Sequence, residues 1–393
     1  MSLQKRLTTL LTQRQKENLY RRRRISEGPQ RPKMVIDGRQ VVSFCSNDYL
    51  GLANHPKVID AFKRAADKYG VGSGAAHLIN GHNRAHHALE EELAEFTGRE
   101  RALLFSTGYM ANLGIVSTLL RRGDTAFEDR LNHASLLDAG LLSRAKITRY
   151  RHRDILDLER KLSNHESGEK LILTDGVFSM DGDIAPLADI ARMIKDHNAW
   201  LMVDDAHGLG VIGNTGRGTL EHHGLNHRDV PVLMGTLGKA LGTFGAFVAG
   251  SDELIEALIQ SARSYIYTTA PPPAAAEATR TSLKLIKKEP WRREHLNHLI
   301  THFRANAKQV GLPLMESNTA IQPLLVGDSK KALQISTALL MKGFLVTAIR
   351  PPTVPSMTAR LRITLSAGHS EQQLEKLLET LSELITGSET AQQ

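Results

Sequence analysis

Cysteine is nearly absent: the 393-residue chain holds one, Cys45. A single thiol excludes an intrachain disulfide and any cysteine-built zinc cluster, and its place in an apolar run suits a small packed residue. No apolar run approaches the roughly 18 residues that a membrane helix needs. The first residues, Met1-Ser-Leu-Gln-Lys-Arg-Leu, lack the apolar stretch of a secretory leader, which points to the cytoplasm. Aromatic residues amount to 5%, and no zinc-finger, RNP or aromatic–basic pattern accompanies the run Arg21–Arg24. Neither nucleic acid nor membrane is therefore the expected partner. Acids are the scarcer charge: the chain carries +8, concentrated at Lys5, Arg6, Arg14, Lys16 and the arginine run. Such a segment is either a solvated face or a landing site for a phosphate-bearing substrate or carrier.

The hydrophobic content of 41% is ample for a large core. Leu3, Leu7, Leu10 and Leu11 fall at helical spacing within residues 3–20. Residues 34–44 read as a hairpin turning at Asp37-Gly38. Helices are expected over 56–69, 84–97 and 273–288. Short apolar runs at 102–105, 125–127, 147–149, 171–174, 200–204, 232–234 and 246–249 alternate with helical stretches. That alternation predicts an α/β fold with a mostly parallel sheet of about seven strands. Strands near 321–325, 344–348 and 360–365 and a helix at 371–386 read as a smaller α+β domain. The expected division is an N-terminal helix and hairpin over 1–45, a large domain over 46–285 and a C-terminal domain over 286–393.

Polar residues follow several strand ends, as in open α/β sheets that build sites at their carboxyl edge. The most telling is Lys239, among small residues just after the 232–234 run. Alone, a lysine in a glycine-rich turn is an ordinary surface residue. Upstream, however, the strand from Trp200 ends in Asp204, with His207 three residues on. Pyridoxal 5'-phosphate needs a lysine for a Schiff base and an acid to keep its ring nitrogen protonated. Lys239 and Asp204 suit those roles, and His207 suits either a hydrogen bond to the ring's phenolic oxygen or support of the aspartate. Gly208-Leu-Gly-Val-Ile-Gly213 spells a dinucleotide pattern but runs into loop residues instead of opening a helix, and is rejected. Gly238-Lys239 fails as a P-loop because Leu233 and Ala240 replace its first glycine and its Ser/Thr.

SNDYLGL (46–52), GSG (72–74), LFSTGYMAN (104–112), NHASLLD (132–138), DGVFSMDGD (175–183), VDDAHGLG (203–210) and GTLGKALG (235–242) together resemble the α-oxoamine synthases, a family of fold-type-I pyridoxal phosphate enzymes. The resemblance spans nearly the whole chain. AIRPPTVP (348–355) and ARLRIT (359–364) are similar to its biotin-pathway branch. That branch condenses L-alanine with a pimeloyl thioester, on coenzyme A or acyl carrier protein, with loss of carbon dioxide. A glycine-using sibling that takes another acyl-CoA is the alternative.

The resemblance implies roles residue by residue. Lys239, His133, Asp204 and His207 would be catalytic, His133 stacking on the cofactor ring and working near the substrate. Gly108, Tyr109, Ser179 and Thr236 would hold the phosphate. Thr268 and Thr269 would reach the cofactor of a neighbouring subunit, which implies a homodimer with sites at the subunit interface. Arg362 would pair with the amino acid's carboxylate, Arg21 and Thr353 would contact the acyl substrate or product, and Asn47 would bind substrate at the edge of the active site. Ala75-Ala76-His77 departs from the family pattern, so that loop receives no role. No metal is expected.

Overall fold

A computed structural model describes residues 2–165 and 168–390. The chain divides into two compact units, residues 48–179 with 183–293, and residues 1–47 with 180–182 and 294–393.

The larger unit is built on the seven expected strands. Across the sheet they run Arg101–Phe105, Ala246–Gly250, Val232–Thr236, Trp200–Asp204, Lys170–Asp175, Thr125–Asp129 and Lys146–Tyr150. Every pairing from Val232–Thr236 to Lys146–Tyr150 is parallel, whereas Ala246–Gly250 is antiparallel to both neighbours. Side chains alternate between two apolar layers, as a period of two requires. Leu171, Leu173 and Met202 face one core with Ile115, Leu136 and Leu258. Ile172, Leu201 and Val203 face another with Leu158, Ile190 and Ile194. Burial on both faces explains why these strands read as unbroken apolar runs. Helices match their expected spans at Pro56–Tyr69, Arg84–Thr97 and Pro273–Lys288. Residues 206–211 form turns and the next helix starts only at Thr219, so the glycine pattern at 208–213 opens none.

The smaller unit joins both ends of the chain. Its hairpin, Lys33–Ile36 with Arg39–Ser43, turns through Asp37 and Gly38 at φ of 49° and 75°, the two left-handed residues of a type I′ turn. Phe344–Leu345 adds to that hairpin in parallel, so the N-terminal segment shares a sheet with the C-terminal part. A second sheet has the order Ile321–Gly327, Ala359–Thr364, Thr347–Ile349. The N-terminal helix spans Leu3–Lys16, capped by Ser2, and its leucines are exposed.

Candidate active site

In the larger unit, six strands point their carboxyl ends to one edge of the sheet, and five of these end at Phe105, Asp129, Asp175, Asp204 and Thr236. The loops that leave them enclose a cavity of about 190 Å³. Its wall carries Gly108, Tyr109, His133, Ser179, Asp204, His207, Thr236 and Lys239, together with Ser135, Asp175, Ala206 and Met234. Eight residues picked out from the sequence thus meet around one space.

Lys239 follows the Val232–Thr236 strand in a bend that ends at Gly242. Gly242 sits at φ 66°, and a Cβ there would come within 2.4 Å of the Ala53 backbone nitrogen, so the loop needs glycine at that point. Lys239 Nζ lies 2.8 Å from His207 Nε2, and His207 Nδ1 lies 2.6 Å from Tyr49 Oη. A neutral imidazole accepts at one nitrogen and donates at the other. An ammonium at Lys239 therefore donates to Nε2, while Nδ1–H donates to the tyrosine oxygen.

Asp204 is buried at its strand tip. Its carboxylate accepts from the Asn112 side chain at 2.8 Å and from the Ala206 backbone at 3.1 Å. The other Asn112 N–H donates to Ser135 Oγ at 2.8 Å, and Ser135 Oγ lies 2.7 Å from His133 Nδ1. The Ser135 backbone N–H also donates to that nitrogen, so Nδ1 is the acceptor. A chain of three hydrogen bonds thus fixes His133 relative to Asp204. Burial pushes the His133 pKa down; the Lys239 charge adds to this and Asp204 opposes it. The His133 backbone N–H donates to Asp175 at 2.7 Å. Burial, and then the charge on Asp204, push Asp175 well above the usual carboxylate range. Burial also raises Asp205, to about 7, despite two hydrogen bonds from Thr219.

Gly108 and Tyr109 open the helix Gly108–Leu119, where unpaired backbone N–H groups favour an anion. A Cβ on Gly108 would meet Met234 in ordinary contact, so the glycine serves approach to that helix end. Thr236 Oγ1 donates to the Gly245 carbonyl and accepts from the Gly238 N–H.

This donor set fits pyridoxal phosphate. Two buried carboxylates, Asp175 and Asp204, stand side by side at the tips of adjacent parallel strands on the cavity wall, and a protonated ring nitrogen would supply the positive charge that pair calls for. A lysine, a histidine and a helix N-terminus on the same wall could complement an aldehyde, an aromatic face and a phosphate.

The remaining predicted residues lie elsewhere. Thr268 and Thr269 are not on the wall of this cavity; Thr269 forms a backbone bridge with Ala76. The four substrate candidates belong to the smaller unit and pair off there. Arg21 donates to Thr353 at 3.3 Å, and the buried Arg362 donates to Thr364 at 2.9 Å and to Asn47 at 3.3 Å. Sequence reasoning gave no role to Tyr49, Asn112, Ser135 or Asp175. All four stand inside the quoted motifs, but nothing in their spacing announces a partner.

Comparison with known proteins supplies the family. Residues 39–381 match the family model of class I and II aminotransferases. The 8-amino-7-oxononanoate synthase of Thioalkalivibrio sulfidiphilus is 62% identical over 98% of each chain. The enzyme of that name from Methylococcus capsulatus is 64% identical over 93% of this chain and 95% of its own. The structure of a serine palmitoyltransferase from S. paucimobilis, solved with a bound PLP–myriocin aldimine, superposes at a TM-score of 0.93, with 33% identity and 98% of each chain covered. The chain belongs to the 8-amino-7-oxononanoate synthase family of pyridoxal phosphate-dependent transferases.

Proposed function

We propose that this protein condenses L-alanine with a pimeloyl thioester to give 8-amino-7-oxononanoate, carbon dioxide and the free thiol carrier, a step of biotin biosynthesis. The reading rests above all on Lys239 and Asp204 facing one cavity at the sheet's carboxyl edge. Close relatives of that name, at about 60% identity over nearly full length, support the substrate class.

Pyridoxal phosphate, when bound, supplies an aldehyde that captures the amine of the amino acid and a ring that withdraws electrons from its α-carbon. Asp204 is positioned for the ring nitrogen, His133 for the ring face and His207 for the phenolic oxygen. The Gly108 and Tyr109 N–H groups, with the Ser179 and Thr236 hydroxyls, suit the phosphate. Lys239 is the base: its Nζ takes the α-proton of alanine and later returns one to the product. His207 is the neighbour through which that amine can shed its own proton, at 2.8 Å. Arg362, a planar fork for a carboxylate, binds that of alanine. Arg21 and Thr353 contact the acyl substrate or product, Asn47 stands at the edge of the active site, and the basic N-terminal segment suits a phosphopantetheine carrier, whether coenzyme A or acyl carrier protein. Thr268 and Thr269 serve the phosphate of a second copy, so the working form is a homodimer. Among the described residues no helix is long and apolar enough to cross a membrane, and we place the enzyme in the cytoplasm.

The direct test is thiol and carbon dioxide release from L-alanine with pimeloyl-coenzyme A or pimeloyl-acyl carrier protein. Release that requires both substrates is expected. Turnover with glycine and acetyl-coenzyme A in their place would move the enzyme to its glycine-using siblings.

A further inference from the structure

His152 is not on the cavity wall, yet it joins two of the loops that build it. Its Nδ1 lies 2.9 Å from Asp129 Oδ1 and its Nε2 lies 2.8 Å from Asp183 Oδ2. Its ring meets the buried Phe178 edge-on, with centroids 4.4 Å apart. Asp129 ends its strand and then caps the turn after it, accepting the Leu131 N–H at 2.9 Å and, through its backbone carbonyl, the Asn132 N–H at 3.1 Å. His133 is the next residue. Asp183 stands at the base of a second loop. Phe178 N–H donates to the Asp183 carbonyl, and Val177 bridges Ile184. Ser179 is the first residue beyond that closure.

Arg153 strengthens the same junction. Its backbone adopts φ 57°, a left-handed conformation that costs an ordinary residue about 1–3 kcal/mol and persists only where neighbours enforce it. Here its N–H donates to Asp129 Oδ2 at 2.8 Å and its guanidinium donates to Asp183 Oδ2 at 3.1 Å. Asp129, Asp183 and Arg153 are the charged groups facing His152, and Phe178 closes its remaining side.

We infer that His152 is a positioning residue: bonded to Asp129 and Asp183 at once, it sets the separation of the loops that present His133 and Ser179, and through them the hold on pyridoxal phosphate. The inference rests on the reading that those two residues face the cofactor. Two ring nitrogens that each face a carboxylate require both to carry hydrogen, which makes the bridging form the imidazolium. Burial works against that charge, but the bonds to Asp129 and Asp183 and their charges outweigh it and raise the pKa to about 9. The tie is therefore complete at neutral pH and is undone as the pH climbs through about 9.

The test is the rate of cofactor release from the holoenzyme across pH, for wild type and for His152→Gln. A glutamine amide keeps donors but no charge. Wild-type release should quicken as the pH passes about 9. In His152→Gln release should be at least about tenfold faster at neutral pH, the effect of one lost charge-assisted bond, and should lack that inflection. A merely structural histidine would leave the inflection in place, and release matching wild type in both rate and pH profile overturns the inference. If His152→Gln does not fold, Asp183→Asn carries the test. It preserves an acceptor but removes one of the two charges, so the inflection must move to lower pH; an unmoved inflection overturns the inference. A wild-type protein that binds no pyridoxal phosphate would instead overturn the functional reading itself.

Discussion

Two pairs of carboxylates lie at the same edge of the central sheet, and they are treated oppositely. Asp129 and Asp183 are bridged by His152, a cation that belongs to the protein, with Arg153 beside it. Asp175 and Asp204 are buried too, but their hydrogen bonds come from neutral groups, the His133 and Ala206 backbone and the Asn112 amide. The nearby cation, Lys239, is hydrogen-bonded to His207. Burial and mutual repulsion accordingly drive Asp175 toward its neutral form. One pair is a finished structural element. In the function proposed above, the other is matched to a positive charge that arrives with the cofactor, so the same residue type would build scaffold in one place and a binding site in the other.

Four substitutions probe this contrast, taken from the largest expected effect. Lys239→Ala removes both the amine that engages the cofactor and the base. Turnover should fall by more than about 10³-fold, measured as thiol release under saturating substrates. Asp204→Asn removes the charge for the ring nitrogen and also turns an amide N–H toward a donor, because both carboxylate oxygens already accept from N–H groups. The expected loss is on the order of 10²-fold in kcat, with weaker cofactor retention measured by dialysis.

Tyr49→Phe deprives His207 Nδ1 of its partner and should cost about 1 kcal/mol in urea denaturation, with a several-fold drop in kcat. Asp175→Asn should be the mildest. An amide oxygen still accepts the His133 N–H, and a group already driven toward neutrality loses little charge. At or below about pH 4, where the unfolded carboxyl is still largely protonated, its stability should stay within about 1 kcal/mol of wild type. The wild-type carboxylate has a raised folded pKa, so ionising it opposes folding as the pH rises above the ordinary carboxylate range. Urea curves of the two proteins, compared at increasing pH, should therefore favour the asparagine variant progressively.

Much of this was legible in the sequence, and the reason is local. Apolar runs bounded by polar tips gave the seven strands, and the Lys239 loop and the Asp204 tip each declared themselves within a few residues. The reversed direction of Ala246–Gly250 was not legible, because an apolar run has no arrow. Tyr49 with His207, Asn112 with Asp204, and His152 with its two acids were not legible either. Their partners lie 158, 92, 23 and 31 residues away, and no periodicity connects positions that only the sheet brings together. The leucines of the Leu3–Lys16 helix show the opposite case. Their spacing was plain in the sequence, yet they stay exposed.

The most direct test of the central claim is chemical. The purified holoprotein would be reduced with borohydride and digested, and the pyridoxyl group located by mass spectrometry. Modification is expected at Lys239 and at no other lysine. A label on a different lysine, or none on protein that has been incubated with pyridoxal phosphate, would contradict it.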